Sequence, residues 1–156
     1  MNINLDENLQ KIIEESGESY HGSGPASDEM ISLYEKELSI SFPESYKIFL
    51  KKYGTLSFNG ESFYGISRLG MVATSAPDVR FVTQEARKLG DIDENMIQIK
   101  SSGYGPIFSI DKSIIGSNGE AAIVETELSF KRDKYKKVVA NNFSEFLLNE
   151  IKNSLK

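Results

Sequence analysis

Ile31–Ile66, ISLYEKELSISFPESYKIFLKKYGTLSFNGESFYGI, is the stretch whose pattern decides the fold. At its centre Tyr46, Phe49, Leu50 and Tyr53 recur at i, i+3, i+4 and i+7, the apolar stripe of a helix lying on a core. Ser41 and Glu44 have capping-box spacing, Pro43 falls in the first turn where a missing N–H costs nothing, and Gly54 supplies a left-handed C-terminal residue. Upstream, Ser27 is an N-cap with Asp28 and Glu29 in the first turn, and Ile31, Tyr34 and Leu38 face inward. Downstream the period changes: Phe58, Phe63, Tyr64 and Ile66, interrupted by Gly60 and Gly65, predict short aromatic strands joined by turns.

The same alternation of periods continues outward. Leu5, Leu9, Ile12 and Ile13 predict a first helix ending near Gly17, followed by a loop over Ser19–Pro25. After Pro77 a helical face of Val79, Val82, Ala86 and Leu89 stops at Gly90. Ile97 and Ile99 alternate with Gln98 and Lys100, Ile107 to Ile110 follow Gly105-Pro106, and Ala121 to Val124 follow Asn118-Gly119, a hairpin signal. Asn142 and Glu145 then cap a closing helix with the stripe Phe143, Phe146, Leu147, Ile151 and Leu155. Helices first and hairpin-linked strands later predict one α+β domain over residues 1–156, with a mainly antiparallel sheet and with Phe49 and Phe146 in its core.

Composition narrows the function. Hydrophobic residues at 39% and charged residues at 26% belong to a globular chain, and 0 cysteines exclude disulfides and thiolate metal sites. A start without basic or long apolar character predicts no leader, no stretch reaches the about 20 apolar residues of a membrane span, and a reducing cytoplasm is the expected home. The net charge of -5 and pI of 5.0 oppose nucleic-acid binding, which needs cations to displace counterions from phosphates. Acids gather early, at Asp6, Glu7, Glu14, Glu15, Glu18, Asp28 and Glu29, and bases late, at Lys131, Arg132, Lys134, Lys136 and Lys137. The late run surrounds Tyr135 and is expected as a solvated strand or loop before the last helix.

Catalytic chemistry finds little to work with. His21 is the single histidine and lies in a Gly/Ser loop, expected at the surface. Gly22-Ser23-Gly24 and Gly103-Tyr104-Gly105 complete neither GxGxxG nor a P-loop, so turns are expected. Asp91, Asp93 and Glu94 lack the turn glycine and distal glutamate of a calcium loop. No GxSxG elbow is present, and Glu125 and Glu127 are expected to share one polar strand face. Neither an enzyme nor a bound cofactor or metal is expected.

Ile31–Ile66 resembles the diagnostic region of the SUKH superfamily. The resemblance rests on Leu38, Phe42-Pro43, Glu44, Tyr46, Phe49-Leu50, Tyr53-Gly54 and Tyr64-Gly65-Ile66, and continues through Phe108 to Asp111, Ala122 to Val124 and Asn142 to Leu148. Phe42 stands where leucine is commoner, and Glu125 where many members carry an aromatic residue. The resemblance implies an immunity protein that binds and neutralises a cognate bacterial toxin, often a nuclease. Such a partner would be basic, matching the acidity of this chain. Candidate apolar anchors are Phe63, Tyr64 and Tyr104; candidate electrostatic contacts are Glu61, Asp111, Glu120, Glu125 and Glu127. The alternatives are a regulatory scaffold for a non-toxin protein and an enzyme acting on a small metabolite.

Overall fold

The computed structural model describes the backbone of residues 3–156 and side chains from residue 7 onward. Leu5, and the leader expectation for Met1–Gln10 in its first residues, therefore fall outside the described side chains.

The chain runs α1 (Ile3–Ser16), β1 (Tyr20–His21), α2 (Asp28–Leu38), α3 (Glu44–Tyr53), β2 (Leu56–Phe58), β3 (Glu61–Phe63), α4 (Val79–Leu89), β4 (Met96–Ser101), β5 (Ile107–Ile115), β6 (Ala121–Thr126), α5 (Phe130–Asp133), β7 (Lys137–Ala140) and α6 (Phe143–Ser154). The strands form two antiparallel sheets, β1-β2-β3 and β4-β5-β6-β7. The Tyr64 N–H, just past β3, donates to the Ile99 carbonyl on β4 (2.8 Å), which ties the sheets together.

The larger sheet is covered on both faces. On one, Ile97, Ile99, Ile110 and Ile123 join the main core with Tyr46, Phe49, Phe143, Phe146 and Ile151. On the other, Val124 and Met96 pack against Ala86, Ile92 and Phe130. Phe49 and Phe146 are core residues, as their stripes require. Double coverage also explains β4, where the expected alternation disappears: Gln98 and Lys100 are buried along with their apolar neighbours.

Several local expectations change once the chain is packed. Ser41 does not cap α3. Pro43 occupies the cap position in extended conformation and gives no side-chain hydrogen bond, because Glu120, distant in sequence, supplies the acceptor: the Ser45 N–H and hydroxyl both donate to its carboxylate, at 3.3 and 2.5 Å. On α4, Leu89 is 58% exposed, whereas Thr83 is fully buried and its hydroxyl accepts the Gln98 N–H (3.1 Å). Leu155 lies past the end of α6 and is exposed. Within the predicted Ser19–Pro25 loop, Tyr20 and His21 pair with Phe58 and Ser57 of β2. The basic run is neither plain strand nor loop: Phe130 anchors the short α5 in the second core, and Lys137 begins β7.

Glycine is required where backbones meet. A Cβ on Gly65 would stand 1.8 Å from the Gly54 carbonyl oxygen, and one on Gly22 would stand 2.5 Å from that of Thr55. These contacts press the Gly22–Gly24 loop and the Gly65 segment against the turn that ends α3.

Candidate functional site

The fold separates the eight residues singled out from the sequence. Lys100 lies opposite Phe108, Phe108 opposite Glu125, and Glu125 opposite Lys137, so these four form one row across β4, β5, β6 and β7. Glu61 extends that row through an ion pair with Lys100 at 2.8 Å. Lys100 itself is buried, with its ammonium 5.5 Å from the Phe108 ring and 5.9 Å from that of Phe63. Glu61 and Glu125 thus already face cations, which weakens the field that a partner would meet.

Phe63 is fully buried, edge-on to Phe146. Its alternating position on β3 points it into the core, so it is unavailable as an anchor. Tyr64 is half-buried; its carbonyl accepts the Tyr46 hydroxyl (2.7 Å), and burial pushes its phenol pKa up, partly opposed by Lys100. Asp111 is completely buried, and the Lys136 ammonium bridges it at 2.7 Å to Asp93 at 2.8 Å. Asp111 and Glu120, the α3 cap, are therefore structural groups at the other end of the sheet from the Phe108–Glu125 pairing.

Glu127 also departs from expectation. β6 ends at Thr126, so Glu127 leaves the strand and does not share its face with Glu125. It is exposed and its carbonyl accepts the Phe130 N–H (3.0 Å), opening the turn into α5. Beside it stands Leu128, 73% exposed. A Cβ on Gly105 would touch the Leu128 side chain at 3.8 Å, so the β4–β5 hairpin and the β6–α5 connection meet. Tyr104, at the hairpin tip, is 85% exposed. Leu128 is not among the residues that the sequence pattern singles out; its one sequence signal is an apolar residue between Glu127 and Ser129 just beyond a strand. Tyr104, Glu127 and Leu128 thus share one end of the larger sheet, on connections whose flanking strands are held by ladder hydrogen bonds.

Buried polar groups elsewhere serve the fold. Asp78 caps α4 by accepting the Phe81 N–H (3.1 Å) and also accepts the Ser67 hydroxyl (2.9 Å) and the Tyr34 hydroxyl. Burial first, and then Asp78, push the Tyr34 phenol far above its usual range. No group of three or more His, Asp or Glu side chains suited to a metal occurs among the described residues, and no helix there is long and apolar enough to cross a membrane.

The chain is a two-sheet α+β scaffold with a doubly covered larger sheet and solvent-facing apolar groups at one end of it. The chain belongs to the SUKH_6 family, described as SMI1-KNR4 cell-wall, whose model matches residues 28–147. The match opens on α2 and closes inside α6, leaving α1 outside it, although Leu9 and Ile13 of α1 belong to the main core. No curated protein matches the chain.

Proposed function

We propose that this chain is an immunity protein that binds a basic bacterial toxin domain, a nuclease by class, and blocks its active surface in the cytoplasm without itself catalysing a reaction. The observation that carries this reading is the exposed Tyr104–Leu128 end of the larger sheet, beside Glu127. A solvent-facing tyrosine and leucine on adjoining connections offer the apolar centre a tight protein interface needs. Protective affinity is nanomolar or better, about 12 kcal/mol, more than surface charge supplies. The acidic residues act differently: because Glu61 is ion-paired with Lys100 and Glu125 stands across from Lys137, steering falls to the net field of the whole chain, to which exposed Glu14, Glu15, Glu18 and Glu29 contribute.

The family description refers to the cell wall, which favours as a second reading a regulatory scaffold that binds a non-toxin protein. Co-purification with the product of the adjacent gene separates the two, since the first requires a toxin domain there. With that complex in hand, Tyr104→Ala and Leu128→Ala should each raise the dissociation rate about tenfold or more while leaving the melting temperature unchanged. Retention of the toxin with unchanged dissociation in both variants would remove this end from the interface; failure to retain any toxin would remove the immunity role.

A further inference from the structure

Next to the point where Gly22 meets Thr55 lies a shallow cleft of ≈ 240 Å³, lined by His21, Gly22, Ser23, Thr55, Ser57 and Arg68. Its geometry follows from the β1–β2 pairing, which sets His21 directly opposite Ser57. The missing Cβ of Gly22 lets the loop close onto Thr55. The Ser23 N–H donates to the Thr55 hydroxyl oxygen at 3.1 Å, so the hydroxyl keeps its own proton for another acceptor. The Ser23 hydroxyl donates to the Ile66 carbonyl at 2.6 Å, pinning the segment that leads into Arg68.

Among the described residues, nothing pairs with the Arg68 guanidinium, the His21 imidazole or the Ser57 hydroxyl. No carboxylate lines the cleft, although acidic residues outnumber basic ones by 23 to 18 in this chain. The result is a set of donors with no anionic acceptor among them, the fork of an arginine, a ring N–H and two hydroxyl protons, along a shallow cleft with room for a phosphate-sized oxyanion. An arginine fork matches two oxygens of one oxyanion, and the remaining donors can reach its others.

We propose that this cleft binds a phosphate-class oxyanion, either inorganic phosphate or the phosphoryl group of a small phosphomonoester. The site is separate from the toxin-binding end of the sheet and does not depend on that reading. The test is calorimetric titration of the full chain at constant ionic strength with inorganic phosphate, glycerol 3-phosphate and acetate. Phosphate should bind saturably and acetate more weakly. Tighter binding of glycerol 3-phosphate would place the natural ligand among organophosphates, and equal or weaker binding would place it with free phosphate.

Arg68→Gln should weaken phosphate binding by about 10- to 100-fold, the range for hydrogen bonds to a charged group. Ser57→Ala should weaken it several-fold, and Arg132→Gln, a change to an exposed arginine on α5, should leave it unaltered. Arg68 is exposed, so its replacement should keep the wild-type melting temperature. Absence of saturable binding to the wild-type chain, equal loss in Arg68→Gln and Arg132→Gln, or acetate binding as tight as phosphate would each overturn the proposal.

Discussion

Replacing Asp78 by alanine tests how far one buried carboxylate organises the middle of this molecule. Asp78 is fully buried and joins three parts of the chain: α2 through Tyr34, the segment after Gly65 through Ser67, and α4 through the Phe81 N–H. Losing the helix cap costs about 1 kcal/mol. Stranding the buried Tyr34 hydroxyl costs about 2 kcal/mol, and losing the Ser67 bond about 1 kcal/mol. Asp78→Ala should therefore destabilise by about 4 kcal/mol, a large part of the 5–15 kcal/mol typical of a domain. Urea melts measure it directly, with the m-value checking that the transition stays two-state. Tyr34→Phe alone should cost less, because it removes the donor and leaves Asp78 its other partners. In a double-mutant cycle the two changes should be coupled by about 1 to 2 kcal/mol. A loss below about 1 kcal/mol for Asp78→Ala, or additive effects in the cycle, would refute the argument that this network holds the three segments together.

Two further substitutions probe packing. Phe49→Ala should cost about 3 to 5 kcal/mol in denaturant melts, from lost transfer energy plus a cavity beside Tyr46 and Phe143, whose rings contact Phe49; a loss below about 1 kcal/mol would place the core elsewhere. Gly65→Ala should cost about 3 kcal/mol because the new methyl meets the Gly54 backbone, whereas Gly60→Ala, with φ +85° and open space around it, should cost about 1 to 2 kcal/mol of backbone strain; equal melting temperatures for the two would show that the close approach is relieved without penalty.

The sequence alone determined the elements whose signals are local. The stripes of α3 and α6 place Phe49 and Phe146 inward whatever they pack against, since a helix buries one side of a 3.6-residue repeat. Ser27, Asn142, Gly90 and Asn118-Gly119 mark their boundaries through bonds and dihedral angles within a few residues, and all do so in the structure. The family pattern was legible for the same reason, being carried by core and turn residues.

Only the tertiary structure decided which polar residues are free to act. Alternation along a strand assigns a side but not what covers it, so the burial of Lys100 and Asp111 depended on helices and ion pairs supplied from distant parts of the chain. Glu120 reads as a surface acid until α3 arrives with an uncapped start. Glu125 reads as part of an acidic face until β7 places Lys137 across from it. Conversely, Leu128 and Arg68 are unremarkable in sequence, and folding leaves one exposed beside a hairpin tip and the other without a counter-charge in a cleft of hydroxyls. Charge pairing and exposure are properties of three-dimensional neighbours, and these neighbours are joined by contacts that no local pattern encodes.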